Sequence, residues 1–359
     1  MKVLRRGGER VMGKGQSSGA VTVPEADPEL LRRARELALR APVPARVGAI
    51  ACGTAGWTDP TLLRCGTFYP ATARTPAERL AHYASQFPMV EVDATFYAIP
   101  SPAVSAQWLE RSPRPFVFDL KAHPVFTGHP IDRKRLPSEL ARALKDVAPD
   151  TTRLCPKDLP REIRMELEAA FTRFLEPLRA AGRLGCVMVQ LPPWTTATRG
   201  AVRELEALGG VLPGVRIAVE FRHPSWLEEG RRDRVFDMLR ANGLAYVIVD
   251  EPDVQGGGVP PVAAATREDL GVVRFHGHNV AGWHRGASVL ERFNYLYAPE
   301  QLGAWVKPMR RLSAEVREVH AVFNNCVRDY AVLGARDLAA LLLAEPAAND
   351  EVAPAPEPC

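Results

Sequence analysis

Short apolar runs alternate with longer segments whose apolar residues recur every three or four positions. Runs rich in β-branched residues and bounded by glycine or proline read as buried strands, and the longer periodic segments read as amphipathic helices. The pattern predicts strands at 47–53, 89–97, 116–121, 186–191, 216–221, 244–250, 272–276 and 319–324. It predicts helices at 29–40, 75–87, 102–111, 161–181, 199–208, 228–241, 299–312 and 337–343, several opened by proline in the first turn, such as Pro76. The stretch 122–183 is long for a connection between two strands, and carries the basic run Arg133-Lys134-Arg135.

Eight strands alternating with helices call for parallel pairing through crossovers. The expected architecture is a single (β/α)8 TIM-like barrel over 28–345, with a long insertion after the third strand. Loose tails are expected at 1–27 and 346–359, where Gly, Arg and Ser, then Pro, Ala and Glu, dominate. A doubly wound open sheet is the rival, disfavoured because no glycine-rich phosphate fingerprint follows the first strand.

Polar residues within the strands keep one parity. Glu91, Asp93 and Thr95 are in phase, as are Asp119 and Lys121, Glu220 and Arg222, Arg274 and His276, and His320 and Asn324. Val90, Val92, Phe118, Leu120, Val219, Phe221, Val273 and Phe275 take the opposite phase. One face therefore packs under helices and the other fills the barrel with charge. Buried charges must pair, bind ions or meet water at the mouth. Gln190 and Asp250 also close strands, so the C-terminal strand ends are the expected site. A network that only fixes strand register is the competing explanation for any one of these residues. Trp57, Phe96, Tyr97, Trp194 and Trp226 all follow strands and suggest a stacking wall.

Composition narrows this picture only slightly. Hydrophobic content of 46%, charged content of 25% and a formal charge of +4 are ordinary for a soluble chain of 359 residues. The six cysteines include no C-x-x-C pair, so zinc spacing is absent and a reducing cytoplasm is expected. No apolar stretch is long enough for a signal segment or a membrane span.

Several motifs run in order along the chain: Gly53-Thr54-Ala55-Gly56-Trp57, Phe68-Tyr69-Pro70, Val90-Glu91-Val92-Asp93-Ala94-Thr95-Phe96-Tyr97, Lys121-Ala122, Gln190-Leu191-Pro192-Pro193, Glu220-Phe221-Arg222-His223-Pro224-Ser225-Trp226, Arg274-Phe275-His276-Gly277 and Phe323-Asn324-Asn325. They resemble the YecE-like family, known as domain of unknown function 72. The resemblance implies a TIM-barrel fold and no settled activity. His278-Asn279 stands where the family more usually has Arg-Asn, and Cys326 to Tyr330 stands where a glycine-containing stretch is usual.

Three functions compete. In the first, an enzyme or binder takes a small anionic molecule, phosphorylated ones included. Lys121, Arg222, Arg274 and His276 hold the anion, and Glu220 or Glu91 is a general base whose pKa burial raises. Asp93, Tyr97, Gln190, His223, Trp226, Asn324 and Trp57 complete the substrate-binding set, with His276 also a catalytic candidate. In the second, Glu91, Asp93, Glu220, Asp250, His276 and Asn324 ligate a metal in a phosphodiesterase or sugar isomerase. The interleaved Lys and Arg argue against it, and no metal or other cofactor is assigned. In the third, the aromatics and Arg133-Lys134-Arg135 bind a nucleotide or nucleic acid without catalysis. Gly256-Gly257-Gly258 reads as a loop, not a phosphate cradle, and Cys326 as a weak nucleophile candidate lacking a base.

Overall fold

A computed structural model describes residues 24–144, 152–253, 258–283 and 288–345. The two tails lie mostly outside these ranges, as do Gly256 and Gly257. The strands are β1 (Arg46–Val47), β2 (Ile50–Thr54), β3 (Met89–Val92), β4 (Val117–Lys121), β5 (Ile131–Asp132), β6 (Arg153–Leu154), β7 (Leu184–Gln190), β8 (Ile217–Glu220), β9 (Leu244–Asp250), β10 (Gly271–Phe275) and β11 (Val319–Phe323). Nine of them form one curled sheet in the order β1-β2-β11-β10-β9-β8-β7-β4-β3. From β2 round to β3 every pairing is parallel, and only β1 pairs antiparallel, as an edge strand on β2.

The two ends of the parallel run approach each other. Ala55 bridges Glu91, and the Gly56 amide donates to the Glu91 carbonyl at 2.7 Å. Gly53 makes the approach possible, because a Cβ there would sit 2.6 Å from the Met89 carbonyl oxygen. The curl is thus closed by one bridge rather than by a full ladder. The alternation of strand and helix is also incomplete: the described part of the β9–β10 connection contains no helix.

Local chemistry explains most of the elements. The helix Pro76–Gln86 opens on a Thr75–Glu78 capping box and buries Leu80, Tyr83 and Ala84. The helices Pro28–Ala38, Pro60–Cys65 and Arg199–Val211 are capped by Asp27, Asp59 and Thr198. Out-facing Phe118, Leu120, Val219, Phe221, Val273 and Phe275 join the large helix-covered core. The segment after β4 has a small core of its own, including Val125, Ile131, Leu154, Ile163 and Leu167.

Three expected elements differ. The strand predicted at 89–97 stops at Val92, and Ala94–Tyr97 is a helical turn. Thr95 therefore leaves the inward phase and its hydroxyl donates to the Val92 and Lys121 carbonyls. The last helix, expected from 337, begins seven residues earlier at Tyr330. Its first turns are buried on several sides, so no polar stripe marks them. The short helix Pro60–Cys65 was not anticipated.

The inward residues form two layers. The one nearer the strand N-termini is built on His320 of β11, which is fully buried. Its Nδ1 faces Asp119 Oδ2 at 2.7 Å, and its Nε2 meets Glu318. Asp119 Oδ1 accepts the Cys186 amide at 2.9 Å. Gly185 leaves room for this carboxylate, since a Cβ there would lie 2.0 Å from Asp119 Oδ1. Burial favours a neutral His320, but Asp119 and Glu318 outweigh it and hold the imidazolium up at about 9.

A histidine raised from 6.5 to about 9 on folding stabilises the native state fully below pH 6.5 and loses that contribution as pH rises through 9. The difference is of order 3 kcal/mol. We predict that denaturant unfolding of the wild type loses stability between pH 6.5 and 9, and that His320→Gln flattens this slope. An unchanged slope in the variant would contradict the pairing.

Candidate functional site

The second layer sits at the C-terminal strand ends and centres on Arg274 of β10. Its side chain is completely buried. Nη2 donates to Glu91 Oε1 at 2.7 Å and Nη1 donates to Glu220 Oε2. The neighbours of β10 are β9 and β11, whereas Glu91 lies on β3 and Glu220 on β8. The guanidinium therefore reaches across the interior and ties together strands that share no backbone ladder with its own. Two planar donors suit two carboxyl groups held side by side.

Glu220 gathers further donors. Arg222 Nη1 lies 3.1 Å from Glu220 Oε1 and 2.9 Å from Glu251 Oε2. The Arg222 guanidinium also covers the Trp283 ring, 5.0 Å from its centroid. His276 Nε2 is 3.4 Å from Glu220 Oε1, and Asn324 Nδ2 donates to His276 Nδ1 at 3.0 Å. With Nδ1 accepting, the ring proton resides on Nε2 and points at Glu220. Burial lowers His276 to about 4, so the ring is neutral near pH 7.

The two carboxyls on Arg274 separate in protonation. Burial pushes Glu91 well above the usual range, and the neighbouring Asp93 adds to the push, overriding Arg274. Burial pushes Glu220 up too, but Arg274, His276 and Arg222 together hold it well below its usual value. Glu91 is thus the carboxyl biased towards its acid form, and Glu220 the one held ionised. This corrects the expectation that burial would raise Glu220 into a general base: three donors on one carboxylate leave it a weak base, and the raised group is Glu91. Asp93 stays low, because Lys121 and Arg274 outweigh its burial. Oppositely tuned carboxyls in one cluster are the arrangement that acid–base chemistry uses.

Lys121 and Gln190 sit at the rim of this layer, both half-buried. Gln190 is in register with Glu220, and Lys121 Nζ lies 4.9 Å over the Phe96 ring. Tyr97 is half exposed, with Arg135 of the insertion 5.2 Å over its ring. Asp250 is engaged beside the cluster, accepting from Tyr297 at 2.6 Å and facing His278 Nε2 at 2.9 Å.

Other candidates lie elsewhere. Trp226 is fully buried, stacked 4.6 Å from Phe221 and donating to the Thr195 carbonyl at 2.8 Å, so it offers a ligand no surface. Trp57 packs edge-on against Trp108 at 5.7 Å. Trp108 in turn stacks on the outward Phe118, so both tryptophans belong to the helix-facing side. His223 caps its own turn, its Nδ1 2.8 Å from Ser225 Oγ. Cys326 donates to the Ala55 carbonyl, and burial drives its thiol far up, which removes it as a nucleophile.

Two residues of the cluster went unread in the sequence. Glu251 follows Asp250 at a strand end, so position alone could have marked it. Trp283 lies in a loop with no periodicity to expose it. The metal alternative meets a physical obstacle, because Arg274 and Arg222 already pair with Glu91, Glu220 and Glu251. A group of described residues with metal-ligand spacing, Asp119, Cys186 and His320, lies in the other layer, where Asp119 already bonds His320 Nδ1 and the Cys186 backbone amide.

The chain matches the model of the family described as "Protein of unknown function DUF72" over residues 51–358. It is 30% identical over 277 residues to UPF0759 protein YunF of Bacillus subtilis, covering 76% of this chain and 87% of that protein. To UPF0759 protein YecE of Escherichia coli K12 it is 29% identical over 191 residues, 52% of this chain and 57% of that one. Among solved structures it resembles a DUF72 family protein from Thermotoga maritima with a TM-score of 0.64 and 29% identity, covering 82% of this chain and 99% of that one. It also resembles one from Enterococcus faecalis with a TM-score of 0.66 and 23% identity, covering 83% and 96%. Motifs, curled parallel sheet and whole-chain similarity agree: this chain belongs to the DUF72 family of proteins of unknown function.

Proposed function

We propose that the protein is an enzyme on a small anionic molecule, acting by proton transfer at the C-terminal end of a (β/α)8-type barrel. The observation that carries this reading is the single guanidinium bonded to both Glu91 and Glu220, with burial and Asp93 favouring the acid form of the first and Arg274, His276 and Arg222 the ionised form of the second. A network serving only register needs carboxylates that neutralise arginine; it does not need one of them kept protonated by burial. Glu91 would give a proton to the reacting group. Glu220, steadied by Arg222 and the neutral His276, would stabilise positive charge that develops on the reacting group. Lys121 and Arg222, nearest the rim, would hold the anion, with Gln190 and Asn324 as neutral donors. Phosphate esters and carboxylates both meet that description.

Calorimetric titration with inorganic phosphate, ribose 5-phosphate and small dicarboxylates tests the anion site. We expect binding that weakens with salt and drops about tenfold or more in Lys121→Met. No binding by any anion in dilute salt would contradict the reading.

Once a substrate is found, Glu91→Gln should lower kcat about a hundredfold or more, as loss of a general acid does. In the wild type the rate should fall as pH rises through the elevated Glu91 pKa, because the acid is lost; in Glu91→Gln that limb should vanish. A variant with full activity and the same alkaline limb would remove Glu91 from the mechanism.

A further inference from the structure

A row of rings leads outward from the charged layer. Lys121 Nζ lies over Phe96, the Phe96 ring meets His129 edge-on at 5.1 Å, and His129 meets Trp194 at 5.8 Å. On the other side of Phe96, Tyr97 lies 5.4 Å away with Arg135 over its face. Tyr97 and Phe96 follow β3, Trp194 follows β7, and His129 comes from the segment after β4, so separate parts of the chain build one row. Three of the five aromatics that follow strands therefore do come together, and His129 is the link the sequence did not disclose.

The row is fixed and uncharged. The His129 Nδ1 lies 2.8 Å from the Thr127 hydroxyl, which sets the ring plane. Burial, with Lys121 adding to it, lowers His129 to about 4. The face of Tyr97 is already occupied by Arg135, whereas Trp194 at the outer end is 62% exposed. This indole offers an open π-face, on a loop anchored by the Trp226–Thr195 hydrogen bond. Trp194 also borders a cleft of about 440 Å³ with Thr127, Lys157, Arg164 and Glu204 in its lining. A free phosphate or a short carboxylate at Lys121 would touch none of this.

We infer that the substrate carries a planar aromatic ring joined to its anionic group, the anion on Lys121 and the ring stacked on Trp194 at the lip of the cleft. The class is a nucleoside-monophosphate-sized aryl or heteroaryl phosphoester rather than a simple sugar phosphate. A π-face on Trp194 gains stacking energy whatever the ring's hydrogen-bonding edge, and Lys157 and Arg164 line the same cleft as donors for polar groups on that edge. This inference rests on the anion site proposed above and adds a second subsite to it.

The test compares adenosine monophosphate, ribose 5-phosphate and adenosine by calorimetry on wild type, Trp194→Ala and Trp194→Phe. Because Trp194 is exposed, both variants should melt with the wild type. We expect adenosine monophosphate to bind about tenfold more tightly than ribose 5-phosphate, Trp194→Ala to erase that difference, and Trp194→Phe to keep most of it. Ribose 5-phosphate should bind all three proteins alike. Equal affinities for the two phosphates in the wild type, or a ring advantage that survives Trp194→Ala, would overturn the ring subsite and leave the anion site standing. Binding of adenosine that depends on Trp194, with none by ribose 5-phosphate, would support the ring subsite and overturn the anion site. Failure of all three ligands to bind would overturn both.

Discussion

A guanidinium with no solvent exposure is the constraint from which the site follows. Arg274 cannot remain charged in the interior unless its surroundings replace its hydration, and an uncompensated buried charge costs several kcal/mol. Two carboxyl groups supply the replacement, and they come from β3 and β8. Holding both against one side chain of β10 requires the sheet to curl until these strands face one another. The single Ala55–Glu91 bridge joins the sheet's ends at one of those same residues. Fold and site thus share Glu91: its carbonyl accepts from Gly56 at the seam, and its carboxyl accepts from Arg274 across the interior.

Sharing one cation between two acids also explains why they differ. Glu220 has Arg222 and His276 in addition, so its negative charge is well compensated. Glu91 has Arg274 on one side and the Asp93 carboxylate on the other. Burial acts on both in the same sense, and the neighbours decide the outcome: Asp93 opposes ionisation of Glu91, whereas the Arg222 cation and the His276 N–H favour it at Glu220. The other layer, with His320 between Asp119 and Glu318, follows the opposite rule: two carboxylates share one histidine and keep it protonated. The interior therefore holds a histidine of each kind: two carboxylates outweigh burial at His320 and keep it cationic, whereas burial prevails at His276 and keeps it neutral.

Parity was the legible part of the sequence. Glu91, Lys121, Glu220, Arg222, Arg274, His276 and Asn324 all fall at or near one end of the sheet, because a strand alternates and the eight strands from β2 round to β3 run the same way. Parity fails where the strand does: beyond Val92 the chain turns helical, and Thr95 goes with it. It is also silent on which side of the sheet a residue faces after a strand has ended. Trp226 and Trp57 follow strands just as Trp194 does, yet pack under helices, because loop direction is set by tertiary contacts such as Trp226 on Phe221. Nor can spacing reveal how differently Glu220 and Glu91 are surrounded, since Arg222, Arg274 and His276 converge on Glu220 only once the sheet has curled.

Difference infrared spectroscopy over a pH titration, with Glu91→Gln and Glu220→Gln to assign the bands, tests the split between the two carboxyls most directly. The account predicts a protonated carboxyl band at pH 7 that disappears in Glu91→Gln and is unaltered in intensity in Glu220→Gln. Ionised Glu91 at pH 7, with both carboxyls titrating together in the ordinary acidic range, would contradict it.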